Sequence, residues 1–160
     1  MNKNAVYLLM LEKLAIDLDV LQRAAQTAYE AATHAENIAE NKYDTLGLEA
    51  SYLATGQARR VEEIRQALKN CQAMTLAPFD PAHGIQVGAL VHLEAGSGSG
   101  QWLFLAPDAA GLKLAHDEHT VTVITPRSPL GAALLGKQPD DEVLINIAGV
   151  AQGFTVCDVE

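Results

Sequence analysis

The chain has 160 residues, enough for one domain or two small ones, and its 49% hydrophobic and 19% charged content excludes an intrinsically disordered polymer. Its 11 basic residues stand against 20 acidic ones, a formal net charge of -9, which excludes broad electrostatic binding to duplex nucleic acid. Cys71 and Cys157 lie far apart with no paired-Cys or Cys/His spacing, so neither a disulfide scaffold nor a zinc site is expected.

The first residues lead into a stretch broken by Glu12, Lys13, Asp17 and Asp19, without a signal-peptide pattern or a membrane-length apolar run. A soluble protein in a reducing cytoplasm is the expectation. From Leu11 onwards, apolar or small residues recur in steps of three and four at Leu14, Leu18, Leu21, Ala25, Ala28, Ala32, Ala35 and Ala39. That spacing is a heptad seam. No proline interrupts the chain before Pro78. A second seam runs through Gly47, Ala50, Ala54, Gln57, Val61, Ile64, Leu68 and Cys71. Folding the chain back around Tyr43 sets Ala39 near Gly47, Ala32 near Ala54, Ala25 near Val61, Leu21 near Ile64 and Leu18 near Leu68. One register satisfies every pair, which predicts an antiparallel coiled-coil hairpin over residues 1–76.

Small residues towards the turn let the helix backbones approach, while Leu and Ile fill a wider base. Glu36, Glu40, Asp44 and Glu49 gather at the turn end, offset by Lys42. Carboxylates on a narrow tip can hold a hard divalent cation through oxygen ligands. Acids near a helix start are equally explained by capping and the helix dipole.

Pro78 and Pro81 punctuate a connection, so the second domain is expected over residues 77–160. Strands are expected over residues 85–93 and 102–105 around a glycine-rich loop, then over 121–124. Ser128 followed by Pro129, with Gly136 at the far end, marks a short helix with Ser as N-cap and Gly as C′. Residues 142–147 and 153–159 complete the pattern as a hairpin around Gly149. The fold class is therefore α+β, a helical hairpin followed by an antiparallel sheet domain with one short helix. Ser128 reads as a cap rather than a nucleophile. His83, His92, His116 and His119 show no helical ligand spacing and receive no role.

The segment Ser128-Pro129-Leu130-Gly131-Ala132-Ala133-Leu134-Leu135-Gly136-Lys137, followed by Asp140, Asp141 and Glu142 and preceded by a long hairpin, resembles the GreA/GreB transcript-cleavage factors. The resemblance spans essentially the whole chain. It implies an FKBP-like C-terminal domain that docks on the rim of the RNA polymerase secondary channel, with Ser128, Pro129 and Leu130 at the docking site. It also implies a coiled coil entering the channel, where tip acids help hold a catalytic Mg²⁺ so that backtracked RNA is cut. The factor is then an accessory rather than an enzyme, a monomer that meets nucleic acid, DNA included, only through the polymerase complex and binds no cofactor tightly by itself.

At the tip the family carries Gly-Asp-Leu-x-Glu-Asn-Ala-Glu-Tyr, whereas this chain reads Tyr43-Asp44-Thr45-Leu46-Gly47-Leu48-Glu49-Ala50-Ser51-Tyr52. Asp44 matches the first acid, Gly47 stands in place of the second, and Glu49 is the nearest carboxylate. Asp44 and Glu49 are the residues carried over as shared Mg²⁺ ligands and catalytic assistants. A carboxylate moved two residues around a helix points elsewhere, so a non-cleaving channel-binding regulator stands beside the cleavage factor. Three further readings are a protein similar to the regulator of nucleoside diphosphate kinase, a prolyl isomerase with a helical arm, and a four-helix assembly of two copies. Against the isomerase, the chain is only 5% aromatic, and its second half offers Phe79, Trp102, Phe104 and Phe154 without a recognisable pocket pattern.

Overall fold

The computed structural model describes residues 1–38 and 46–160, with side chains described outside 35–51. Two long helices, α1 (Lys3–Ile38) and α2 (Leu46–Ala73), precede a six-stranded sheet and a short helix, confirming the α+β class. By compactness the chain divides into one unit of Met1–Glu12 with Lys69–Glu160 and another of Lys13–Leu68.

Helix α1 starts where the Asn2 side chain accepts the amide hydrogen of Ala5 at 3.1 Å, satisfying a donor that the first turn leaves unpaired. Every described seam position of both arms is buried or half-buried, whereas most of the residues between them are exposed. Leu14, Ala28, Ala32 and Val61 are among the fully buried ones within Lys13–Leu68. Outward faces carry ion pairs one turn apart, Lys13 with Asp17 at 2.7 Å and Arg23 with Asp19 at 3.1 Å.

The sheet comprises β1 (Leu90–Ala95), β2 (Gly100–Leu105), β3 (Lys113–His116), β4 (His119–Ile124), β5 (Glu142–Ile147) and β6 (Val150–Val159), in the order β3-β4-β2-β1-β6-β5. The sheet is mainly antiparallel, as expected, with one parallel pairing that makes it mixed: β2 and β4 run side by side in the same direction, Trp102 beside Val121 and Leu105 beside Ile124. The reason is that β3 returns beside β4 and occupies the outer position, leaving β4 to meet β2 in the same direction. Several strand boundaries also shift, β4 and β6 beginning at His119 and Val150 rather than at residues 121 and 153, and β3 is a strand the sequence did not mark. Residues 85–89 form a turn and connection, and the glycine-rich loop is shorter than expected, since Glu94, Ala95, Gly100 and Gln101 belong to strands.

Helix α3 (Pro129–Leu134) lies on one face of the sheet, where Leu134 joins Ile85, Val91, Leu93, Leu103, Leu105, Val143, Ile145 and Val156 in a continuous core. Each such fully buried aliphatic side chain stabilises the fold by roughly 1.5–3 kcal/mol. Alternation along β1, β2 and β4 sends Leu90, Phe104, Val121 and Val123 to the opposite face, and all four are fully buried. Val6, Met10 and Cys71, on the helix ends of the same compact unit, are also sealed from solvent. Hydrogen bonds hold those ends to the rest of the unit, from Lys3 Nζ to the Ala77 carbonyl at 2.6 Å and from Asn70 to Asp108 at 3.1 Å.

Candidate functional site

Of the residues expected to act, Ser128, Pro129 and Leu130 are fully described. Ser128 has extended backbone angles, φ -77 and ψ 151, as an N-cap requires. Its Oγ accepts the Gly131 amide at 3.1 Å and donates to the Thr125 carbonyl at 2.8 Å. The hydroxyl thus donates one hydrogen bond and accepts another within the same turn, as the cap reading expects.

Pro129, at the first helical position, is exposed, while Leu130 is half-buried against the core. The three residues thus differ in what they present, with the pyrrolidine ring of Pro129 standing outward on a braced turn. Close packing explains the small residues. A Cβ on Gly131 would lie 1.9 Å from the Thr125 carbonyl oxygen, and one on Gly84 would lie 2.3 Å from that of Gly136. Gly136, with φ +77, ends the helix as C′ and donates its amide to Ile85 at 2.8 Å.

Asp44 lies outside the described residues. Glu49 belongs to the first turns of α2, and its side chain lies within the undescribed range. Glu36 shares that condition, and Glu40 lies outside with Asp44. Among the described residues no group of three or more His, Cys, Asp or Glu side chains converges as a metal site. None of the described helices is long and apolar enough to cross a membrane.

Within Lys13–Leu68 the two arms enclose a groove of about 730 Å³, lined by Ala25, Tyr29 and Ala32 of α1 and by Ala54, Val61 and Arg65 of α2. The pairs Ala25 with Val61 and Ala32 with Ala54 are those the fold-back register sets opposite each other. Gln57, a polar seam residue, keeps its side-chain oxygen buried without a hydrogen-bond partner.

The sheet brings two histidines that the sequence left without a role against Trp102. His92 stacks on Trp102, ring centroids 4.6 Å apart, and His119 tilts against the indole's other side at 6.3 Å. No linear spacing signals this row, since it is assembled by the β1–β2 and β2–β4 pairings. The four aromatics that this half offers an isomerase do not line one cavity. Phe104 is fully buried, Phe79 and Phe154 are half-buried against the core cluster, and Trp102 belongs to the imidazole stack. At Asp80, the His83 ring at 2.6 Å, followed by the Ala82 amide, holds the carboxyl below the usual carboxylate range.

No family model and no curated protein matches the chain. Among solved structures it is similar to GreA factor homolog 1 of Thermus thermophilus, at 23% identity and TM-score 0.39, with 94% of each chain covered. It is similar to Gfh1 of Thermus aquaticus at 21% identity and TM-score 0.39, covering 93% of this chain and 92% of that one. A prokaryotic transcription elongation factor GreA/GreB from Nitrosomonas europaea is 17% identical with TM-score 0.38, covering 82% of this chain and 92% of its own.

Proposed function

We propose that this chain is an RNA polymerase accessory factor of the GreA/GreB kind, which inserts its helical hairpin into the secondary channel and modulates elongation. The observation that carries the reading is that every described seam position along two helices of 36 and 28 residues is buried or half-buried while the residues between them are mostly exposed. At roughly 1.5 Å per residue the shorter helix is about 42 Å long. A long hairpin of this kind also favours the GreA/GreB reading over the shorter-armed regulator of nucleoside diphosphate kinase. Asp44 and Glu49 are the carboxylates that would share Mg²⁺ with the polymerase, which supplies the chemistry. The segment Ser128, Pro129 and Leu130 is the proposed docking element, its turn rigid before any partner arrives.

Gly47 at the position of the family's second tip acid leaves cleavage and non-cleaving regulation as two outcomes of one experiment. Core polymerase is captured with the wild-type protein, and stalled complexes are then assayed for transcript cleavage with wild type, Asp44→Ala and Glu49→Ala. Binding with cleavage lost in Asp44→Ala identifies a cleavage factor. Binding with no cleavage by wild type identifies a channel-binding regulator, and failure to bind polymerase overturns the proposal.

A further inference from the structure

The hairpin of β5 and β6 overhangs the sheet. Strand β1 pairs with β6 only from Phe154 to Val159, so Val150 to Gly153 pair with β5 alone. A two-stranded ribbon is marginal in water unless its faces or edges are covered. Here Leu144 is 74% exposed, Val150 60% and Ile147 48%. From Val143 to Cys157 no residue is charged, although the whole chain carries 31 acidic and basic side chains, 11 plus 20. Natural edge strands are normally blunted by lysine, proline or an inward-pointing charge, and β5, last in the sheet order, has none of these over Val143 to Ile147.

The backbone phase of this edge is set by its turn. Ala148 and Gly149 both have positive φ, 51 and 80, the signature of a two-residue type I′ turn, which makes Ile147 and Val150 a hydrogen-bonded pair. Hydrogen-bonded pairs alternate, so Val143, Ile145 and Ile147 bond inward to β6. The Val156 amide bonding to the Asp141 carbonyl at 2.9 Å fits the same phase. Glu142, Leu144 and Asn146 therefore turn their backbone N–H and C=O groups to the open edge.

We infer that this edge pairs with β5 of a second copy, antiparallel about a two-fold axis at Leu144, so that one sheet runs through both copies. The register follows from side-chain chemistry. Centred on Leu144, it sets the Glu142 carboxylate opposite the Asn146 amide of the second copy, twice by symmetry, and Leu144 opposite itself. Val143 falls opposite Ile145. No like charges meet, whereas parallel pairing in register would set Glu142 beside Glu142. The short edge makes a weak dimer that forms by mass action, a departure from the monomer implied by the family resemblance.

Sedimentation of the wild-type protein across rising concentration tests this, with Asn146→Pro and Leu144→Lys alongside. Asn146→Pro removes an N–H that only a partner strand uses, and Leu144→Lys places a charge against its own copy on the solvent face. Wild type is expected to shift from 17.1 kDa towards twice that mass, with slowed amide exchange at Leu144 and Asn146. Both variants are expected to stay at the single-chain mass with unchanged far-UV circular dichroism. A wild type that remains single up to millimolar concentration overturns the inference. So does a dimer that persists in a folded Leu144→Lys variant, which would assign the contact to the helices or another surface.

Discussion

The Ser128 hydroxyl sits 3.1 Å from the Gly131 amide nitrogen, and Gly131 has no room for a side chain because the Thr125 carbonyl occupies it. Cap and close approach are two parts of one turn. Ser128→Ala is expected to lower stability by about 1 kcal/mol, the usual cost of an N-cap. Gly131→Ala should cost more, on the order of 3 kcal/mol, since a backbone carbonyl has to move. Urea denaturation of the two variants checks the order, and equal losses would contradict the packing argument.

The seam makes a prediction that compares two aliphatic residues on one helix. Leu14 is 3% exposed and Ile16 52%. Leu14→Ala should destabilise by about 2–5 kcal/mol, while Ile16→Ala should stay within roughly 0.5 kcal/mol. Thermal or urea unfolding measures both. Similar losses from the two would mean that the arms do not pack along the predicted stripe.

The cysteines should separate by reactivity. Burial pushes the Cys71 thiol up to about 11, whereas Cys157 is exposed, its thiol raised by local desolvation first and then by the Glu94 carboxylate. A chromogenic disulfide reagent at about pH 8 should titrate one thiol in the native protein and the second only after denaturation. For stability the sign follows from the acid form being favoured in the fold. The contribution of Cys71 is full below the ordinary thiol pKa of about 8.5 and is lost as pH rises towards about 11. Cys71→Ser should flatten that part of the stability-pH curve.

Asp80 offers a local titration. The His83 ring contributes most to lowering its carboxyl pKa, ahead of the Ala82 amide. His83→Ala should therefore move the Asp80 pKa up towards about 3.9, read by NMR titration of the carboxyl carbon. Any stability linked to this group is present above that value and fades as pH falls through the lowered one. An unmoved titration curve would show that the 2.6 Å contact does not persist in solution.

The sequence by itself determined the elements whose signals are local. Leu14, Ala28, Ala32 and Val61 announce their burial by a repeat of three and four, since side chains one turn apart share a helix face. Ser128, Pro129 and Gly136 mark the two ends of α3 because capping is satisfied within a few residues. Gly149 marks its hairpin for the same reason. Asp44 and Glu49 were legible as a pair of acids, but sequence spacing does not aim a carboxylate. Only tertiary structure decided that β4 runs parallel to β2, because that pairing joins Trp102 to Val121 across an intervening strand of four residues, Lys113–His116. Strand pairing is a choice among distant partners, made by the whole core at once rather than by any window of residues. The His92, Trp102 and His119 stack and the bare outer edge of β5 follow from that choice, which is why neither could be read along the chain.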